Sequence, residues 1–315
     1  MFVNAAFAFA GTELVGLAAA ETANPRKSLP TAVKQVFWRI ALFYIVSLTL
    51  VGLLVPYDDK RLIGSSSADA KASPFVIAIK NAGISGLDSV MNVVIMIAVL
   101  SVGNSSVYGS SRTLAALAEQ GQAPRFLAYI DRKGRPIFSI LVASALGLLC
   151  FLAASDKQKD AFMWMMAISG LSSIFTWGSI CLAHIRFRRG WKVQGHSLDE
   201  LPYRSQAGVV GSWIGFIFNC LVLVAQFWVG FAPIDYGTMS ARAKVENFFS
   251  LYLAAPVVIL FYLCYKIWFR TPFIRAKDMD LVTGRRELDI QHLLAEERAE
   301  QAAWPTWKKV YKLFC

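Results

Sequence analysis

Long apolar runs separated by short polar joints dominate the chain as far as residue 270. Seven runs have roughly the 20 apolar residues that a helix needs to cross a hydrocarbon core about 30 Å thick. They cover residues 2–20, 36–55, 87–108, 137–154, 161–185, 211–231 and 248–269. Proline, glycine and charged residues mark the joints, as in the NPRK sequence at 24–27. The pattern predicts an all-α integral membrane protein with seven transmembrane helices.

The chain becomes polar after residue 270, so we expect a membrane domain over 1–270 and a cytoplasmic tail over 271–315. Within the tail, residues 285–301 alternate charges with leucines at helical spacing, which predicts a short helix. Outside the membrane, Ser73 and Pro74 precede an apolar helical face made of Phe75, Val76, Ile79 and Ala82. A serine cap followed by a first-turn proline predicts a second short helix, with an ordered loop as the alternative.

Composition supports a membrane protein and disfavours several other classes. Hydrophobic residues make up 56% of the 315 residues against 17% charged, and the mean hydropathy is +0.48. The five cysteines form no C-x-x-C pair and there are three histidines, so we expect no metal site and no cofactor. The net charge of +11 comes from Lys and Arg clusters between apolar runs, which membrane topology explains better than nucleic-acid binding.

Lysine and arginine lie mainly on one side of the predicted membrane. The joints after the first, third and fifth spans, together with the segment 266–315 that includes the tail, carry 23 of them, and the opposite joints carry eight. Because positively charged loops stay in the cytoplasm, the tail is predicted to be cytoplasmic and residue 1 extracellular. An extracellular start needs a means of export, and no signal peptide precedes the first span. We therefore expect this sequence to be the carboxy-terminal part of a longer protein.

The first span carries a carboxylate near its middle, where Gly11, Thr12 and Glu13 follow the apolar sequence FAFA at 7–10. A charge at membrane depth is expensive and by default marks function. These three residues weaken the helix, so the span is predicted to unwind and to leave peptide groups in need of partners. A bound polar solute would supply those partners near the bilayer midplane. The alternative is an intact helix with Glu13 protonated or bonded to a neighbouring span.

Two further spans carry a stripe of polar side chains at the spacing i, i+3, i+4 and i+7. The stripes are Ser169, Ser172, Ser173 and Thr176 in the fifth span, and Ser101, Asn104, Ser105 and Tyr108 in the third. Such stripes are expected to face protein or water rather than lipid, so the two could line one cavity. Helix packing alone is the alternative for either stripe, because small residues and hydroxyls also mediate it.

Motifs along the whole chain are long enough to suggest a family. They read FAFAGTELVG at 7–16, NPRKSLP at 24–30, VGNSSVYGSSRTL at 102–114, DRKGRP at 131–136, SGLSSIFTWG at 169–178, AHIRFR at 183–188 and TGRRELD at 283–289. The chain resembles the fungal amino-acid permeases of the amino acid-polyamine-organocation superfamily. The first two motifs resemble the sixth helix of that family and the loop after it.

The resemblance implies a twelve-helix fold of two inverted five-helix repeats with two extra helices. The seven spans would match helices six to twelve, giving a partial inverted-repeat (LeuT-like) transporter fold that lacks the first five helices. In this superfamily the first helix holds the carboxylate of the substrate, and it has no counterpart here. We therefore expect a truncated permease that holds half a binding site.

The resemblance also implies roles for individual residues. The carbonyls of Phe7 and Ala10 would bind the ammonium group of an amino acid, and Phe7 or Phe9 would cover it as a gate. Glu13 would couple transport to protons by changing its protonation state between the outward and inward forms. The implied substrate-binding residues are Phe7, Phe9, Ala10, Gly11, Thr12, Ser172, Ser173 and Thr176, the last three shaping the side-chain pocket.

The end of the tail is similar to the Phe-Trp-Cys terminus of many of these permeases, where the cysteine is palmitoylated. Here Leu313 and Phe314 precede Cys315, so the tryptophan is absent, and lipidation of Cys315 is the expectation. The tail lysines at 308, 309 and 312 could serve ubiquitylation, with ubiquitin ligase machinery as a further partner, or contact lipid. Ordinary solvated charges are the alternative.

The predicted function is proton symport of amino acids across a fungal plasma membrane by alternating access, with no enzymatic activity. The expected partners are the amino-acid substrate, protons and the lipid bilayer. A seven-span receptor-like protein without transport activity is the alternative, although it does not explain why Gly-Thr-Glu interrupts the first span. A membrane-embedded enzyme is a third possibility, but no second acid or histidine lies deep enough to partner Glu13.

Overall fold

The computed structural model describes residues 5–18, 25–59, 62, 73–154, 158–201, 204–233, 236–283 and 303–306. Every regular element within these ranges is helical, so the predicted all-α class is confirmed for this part of the chain. The tail helix predicted at 285–301, the tail lysines and Cys315 lie outside the described residues.

The described ranges contain the following α-helices and short 3-10 helices. The α-helices are α1 (Leu14–Ala18), α2 (Pro25–Leu54), α3 (Pro74–Asn81), α4 (Leu87–Glu119), α5 (Ile137–Gly147), α6 (Gln158–Val193), α7 (Gly208–Phe231), α8 (Ala241–Tyr252) and α9 (Ala254–Phe269). The 3-10 helices are Arg125–Ala128, Leu148–Ala154, Leu198–Glu200 and Ala276–Asp278.

Four of the described helices, α2, α4, α6 and α7, are long and apolar enough to cross a membrane. The pair α8 and α9 would add a fifth if it formed one span. The apolar helix Ile137–Phe151, predicted as a span over 137–154, is shorter. The structure therefore supports a helical membrane protein, while seven spans stay a prediction.

The four helices α2, α4, α6 and α7 are all longer than the apolar runs that predicted them. α4 continues past residue 108 to Glu119, and α2 begins at Pro25 rather than at 36. A helix of 33 residues, the length of α4, is about 50 Å long and exceeds a hydrocarbon core of about 30 Å. The apolar run marks only the part in hydrocarbon, and the polar helix ends extend beyond it.

The last predicted span, 248–269, is two helices rather than one. The axes of α8 and α9 differ by 65°, with Leu253 between them. Pro256 explains the bend, because proline has no N–H to donate to the carbonyl of Tyr252 and its ring crowds that carbonyl. The predicted run 248–269 is therefore divided between two helices, and its crossing of the membrane as one span stays a prediction.

The short helix predicted after Ser73 is confirmed as α3, with Pro74 in its first turn. Val76 and Ile77 are fully buried, whereas Phe75 is 41% exposed. Among the described residues, the Ser73 side chain makes no capping hydrogen bond. The helix is as predicted, but its buried face is rotated from the one the sequence suggested.

The chain divides into two compact units, and the first is Gly11–Phe162. In this unit α4 contacts α1, α3, α5 and the 3-10 helix Arg125–Ala128. Leu127 in that 3-10 helix is buried, and its carbonyl accepts a 2.9 Å hydrogen bond from the buried hydroxyl of Ser139 on α5. The connection between α4 and α5 is thereby fixed by packing and by a buried hydrogen bond.

The second unit consists of Met1–Ala10 and Met163–Cys315. Its buried clusters are built on α6, one from Leu171 with Ala254 and Ala255 of α9, the other from Ile174 with Val222 of α7 and Ala6. These contacts hold the stretch before Gly11 against α6 and α7.

Candidate functional site

The first apolar run is interrupted where the sequence predicted. Residues 7–13 form turns, and helix resumes only at Leu14. The N–H of Ala10 bonds to the carbonyl of Phe7 at 3.3 Å, and that of Leu14 to the carbonyl of Gly11 at 3.0 Å, in the i to i+3 pattern of turns. Gly11 has a φ of +88°, in the left-handed region that glycine favours. The predicted break is confirmed, while the roles given to its residues stay predictions.

The turns leave peptide groups at the break without backbone partners. Within the described residues, no backbone hydrogen bond reaches the carbonyl of Ala10 or starts from the N–H of Gly11 or Thr12. The carbonyl of Phe7 already accepts one hydrogen bond, so it retains one lone pair. The break therefore offers an acceptor to an ammonium group at Ala10, with a second, weaker one at Phe7.

The candidate residues of the break are divided between the two compact units. Phe7, Phe9 and Ala10 belong to the second unit, and Gly11, Thr12 and Glu13 to the first. Glu13 is partly buried, and Phe9 is 36% exposed.

The side of the break before Gly11 is packed against the helix that carries the serine stripe. Ala6 is buried with Ile174 of α6 and Val222 of α7, and Trp177 packs on the same cluster. Ile174 directly follows Ser173 in the chain. The structure therefore places Phe7, Phe9, Ala10, Ser172, Ser173 and Thr176 in one unit.

The hydroxyls of the α6 stripe bond to their own helix. Ser172 donates to the carbonyl of Ile168 at 2.6 Å, and Thr176 to the carbonyl of Ser172 at 3.0 Å. Ser173 donates to the carbonyl of Ser169 at 3.2 Å. Because this satisfies the donors, the stripe does not need water or a neighbouring helix. Each hydroxyl oxygen can still accept a hydrogen bond, which keeps the stripe suitable for a substrate pocket.

The stripe of the third span is less enclosed. Ser101, Asn104 and Ser105 on α4 are all exposed, and the ring of Tyr108 lies 3.8 Å from the guanidinium of Arg112. The prediction that both stripes line one cavity stays untested, since they lie in different units.

Two polar groups in the described helices have surroundings that the sequence interpretation did not predict. The Nδ1 of His184 lies 2.7 Å from the Oγ of Ser212 and links α6 to α7. The Oδ1 of Asn92 on α4 is buried and has no hydrogen-bond partner among the described residues. A buried amide of this kind costs about 1–3 kcal/mol. An asparagine in the apolar half of the run 87–108, before the polar stripe at 101–108, was the signal that could have found it.

Several transporter folds contain a broken apolar helix, so this feature alone does not identify the family of the chain. Similarity to known proteins does identify it. The family model for amino acid permeases matches residues 1–277. The chain belongs to the amino acid permease family. The members of this family are transporters rather than enzymes, and the apolar helices of this chain accord with an integral membrane protein.

Characterised fungal permeases cover the whole of this chain. It is 61% identical to the general amino-acid permease GAP2 of Candida albicans over all of the chain and 54% of that protein. It is 54% identical to the general amino-acid permease GAP1 of Saccharomyces cerevisiae, over 52% of its length. The histidine permease of Saccharomyces cerevisiae is 49% identical over 96% of this chain and 50% of that permease. The chain thus spans about half the length of these relatives, and none of them favours the receptor alternative.

No solved structure matches the chain. The relation to the inverted-repeat transporter fold therefore rests on sequence resemblance and on the broken helix.

Proposed function

We propose that this chain forms the helix six to twelve part of a secondary transporter that carries amino acids by proton symport. The observation that carries the proposal is the break at Gly11, where, within the described residues, the carbonyl of Ala10 and the N–H groups of Gly11 and Thr12 make no backbone hydrogen bond. Peptide groups in hydrocarbon without partners are costly, so such a break is stable when a polar solute or water-filled cavity satisfies it. An amino acid has the charged groups to do this.

The binding role follows from the chemistry of the break. The carbonyl of Ala10, assisted by that of Phe7, would accept hydrogen bonds from the substrate ammonium group. A hydrogen bond to a charged group contributes about 1.5–3 kcal/mol, enough to make the break a specific site. Phe7 or Phe9 would cover the bound amino acid, and Ser172, Ser173 and Thr176 would contact its side chain. The names of the relatives, general amino-acid permease and histidine permease, support amino acids as the substrate class.

The coupling role is proposed for Glu13, which is the acidic residue of the FAFAGTE motif at residues 7–13. A carboxylate at a break can take a proton in one conformation and release it in the other. Proton uptake and substrate binding at neighbouring residues would then be coupled through the alternating-access change.

The remaining parts of the proposal concern the cell. The chain would lie in the plasma membrane with residue 1 outside and the tail in the cytoplasm. Palmitoylation of Cys315 and contact of the tail with ubiquitin ligase machinery belong to the same proposal.

Uptake by a chimaera tests the function. Residues 1–315 would replace the matching part of the Candida albicans GAP2, and the product would be expressed in yeast deficient in amino-acid uptake. We expect uptake of labelled amino acids that falls when a protonophore removes the proton gradient. The same chain expressed alone is the control and should not transport. A chimaera that reaches the membrane without any uptake would contradict transport, and uptake indifferent to the gradient would contradict symport alone.

A further inference from the structure

The segment after α9 folds back onto the end of α6. At Arg270 the chain turns with a φ of +46°, and the residues that follow run along the last turns of α6. The side-chain amide of Gln194 donates to the carbonyl of Met279 at 2.7 Å and to that of Ala276 at 3.3 Å. Gly190 is part of the contact, because a Cβ there would lie 2.9 Å from the sulfur of Met279. The segment is thus fixed by hydrogen bonds and by close packing.

An open cleft of about 410 Å³ lies between this segment and α6. Four cationic side chains line it, those of Arg186, Arg189, Arg275 and Lys277. No acidic residue is among its lining residues, and the described part of the chain shows no ion pair for any of the four. Like charges in one cleft repel each other, so the cleft favours an anion.

The walls of the same cleft are apolar and open. Phe273 is 73% exposed, Val193 is 56% exposed and Ile274 is 53% exposed. The guanidinium of Arg186 lies 4.6 Å from the centre of the Phe273 ring and donates to the carbonyl of Ile274, so apolar and cationic groups are joined. A small soluble anion would leave these apolar side chains exposed to water.

A second cleft of about 530 Å³ shares Arg186, Phe273 and Ile274 with the first. It is lined mainly by apolar residues but includes Lys266 and the carboxylate of Asp280. The Oδ1 of Asp280 accepts hydrogen bonds from the backbone N–H groups of Thr283 at 2.9 Å and Val282 at 3.1 Å. These bonds, chiefly those with Thr283, lower the pKa of the Asp280 carboxyl and favour its charged form. This fixed negative charge disfavours an anion in the second cleft but leaves its apolar wall available.

We propose that the cleft between α6 and the segment after α9 binds the phosphate headgroup of an anionic phospholipid, with acyl chains on the adjoining apolar wall. Both helices that end here are apolar helices of the membrane domain. Arginine forms paired hydrogen bonds with phosphate, and basic pockets beside membrane helices bind anionic headgroups on the cytoplasmic face. The inference rests on the cytoplasmic placement in the proposed function, but not on transport.

The test uses the full chain in mixed micelles, where neither sidedness nor transport affects binding. Native mass spectrometry would count phosphatidylserine retained per protein at increasing lipid concentration, with phosphatidylcholine as the neutral lipid. We expect retention of phosphatidylserine and a loss of affinity of about 25-fold in the double variant Arg275→Gln, Lys277→Gln, from about 1 kcal/mol for each charge. The matched control Arg132→Gln, Lys133→Gln removes the same charge from another predicted cytoplasmic joint and should change the affinity less than twofold.

Several results would overturn the proposal. Equal losses in both double variants would show general charge attraction instead of a site. Glycerophosphoserine, the soluble headgroup without acyl chains, should not displace the lipid, and full displacement would show a site for free phosphate esters. If the double variant does not fold, the wild-type protein still tests whether the chain prefers an anionic lipid. Equal retention of phosphatidylserine and phosphatidylcholine would contradict an anionic lipid site.

Discussion

Gly11 is the residue on which the broken run depends. Its φ of +88° is a conformation in which a side chain is strained, and the nearest atom to a Cβ at this position would be 3.8 Å away. The space is therefore sufficient, and the backbone conformation alone requires glycine. Gly16, in α1, has no positive φ and would meet nothing within 4 Å of a Cβ.

Gly11→Ala is expected to destabilise the protein by about 1–2 kcal/mol, because an L-residue is strained in this region. The matched control, Gly16→Ala, should stabilise the protein by up to about 1 kcal/mol, because alanine favours the helix more than glycine does. The thermal unfolding midpoints of the two purified variants in one detergent measure the difference. Equal shifts would show that Gly11 is an ordinary helical glycine.

A substitution at Glu13 tests the transport mechanism without disturbing the fold. Glu13→Gln keeps the shape of the side chain but removes its titration, so we expect membrane insertion to persist. The uptake of the chimaera should fall by about 5- to 150-fold, the usual range of a coupling free energy, or shift in its pH dependence. Glu119→Gln, at the exposed end of α4, is the control and should transport normally. Wild-type uptake by Glu13→Gln would remove Glu13 from the mechanism.

At the scale of elements, the short helix α1 approaches α4 closely at Gly109. A Cβ at Gly109 would lie 2.4 Å from the Cδ2 of Leu14, so the two helices approach at a position where a side chain does not fit unless Leu14 moves. Gly103, on the same helix α4, would meet nothing within 4 Å. The position of the helix after the break thus depends on a glycine far away in the sequence.

Gly109→Val is expected to cost about 1–3 kcal/mol by overpacking this contact. Leu14→Ala should relieve part of the cost, so the double variant is more stable than the sum of the single changes predicts, by about 0.5–3 kcal/mol. Gly103→Val is the control for the lower helix propensity of valine. Additive effects of Gly109→Val and Leu14→Ala in thermal unfolding would show that the two residues do not touch.

The loop before α5 is closed by one carboxylate. The Oδ1 of Asp131 accepts hydrogen bonds from the backbone N–H groups of Lys133 at 2.9 Å and Arg135 at 2.8 Å. Its Oδ2 accepts hydrogen bonds from the Nε and Nη2 of the Arg135 side chain at 2.9 and 2.7 Å. The side-chain hydrogen bond of Arg135 is the main reason why the pKa of Asp131 lies below its usual value. The charged form is therefore the one that closes the loop.

The lowered pKa fixes the direction of the pH effect. The stabilisation by Asp131 is complete above the ordinary aspartate pKa and is lost only as the pH falls through the lowered value. Hydrogen–deuterium exchange of residues 129–136, corrected for intrinsic rates, should show protection at neutral pH that disappears in acid. Asp131→Asn should reduce the protection at neutral pH, and exposed Asp58→Asn should not. Unchanged protection in Asp131→Asn would mean that the carboxylate does not hold the loop.

At the scale of the whole molecule, the charge asymmetry predicts which joints face the cytoplasm. The bias of 23 basic residues against eight favours one orientation, and the described ends of α4 and α6 carry part of this charge beyond their apolar runs. The loop at Asp58 and the loop at Lys133 should therefore lie on opposite sides.

Cysteine labelling in cells checks this sidedness. We expect Asp58→Cys to react with a membrane-impermeant maleimide in intact cells, and Lys133→Cys to react only after permeabilisation. The unsubstituted chain, with its own five cysteines, gives the background. Reversed labelling would place residue 1 in the cytoplasm and would also remove the cytoplasmic setting proposed for the lipid cleft.

Local sequence was sufficient for the helical class, the break and α3. Gly11 and Pro74 act through backbone conformation within a turn, so the break and the start of α3 could be predicted without knowing what packs against them. The bend before α9 also has a local cause, the missing N–H of Pro256. A count of apolar residues does not detect it, because proline does not interrupt the apolar run 248–269.

Tertiary structure decided what local patterns do not contain. The contact of Leu14 with Gly109, the burial of Ala6 against Ile174, and the cleft between α6 and residues after α9 all join residues far apart in the chain. The length of the apolar runs also underestimated α2, α4, α6 and α7, because the hydrocarbon core limits the apolar stretch and not the helix. The sequence determined where the backbone must break, since glycine and backbone hydrogen bonding act within a turn. Only the packing of distant helices determined which side chains surround that break.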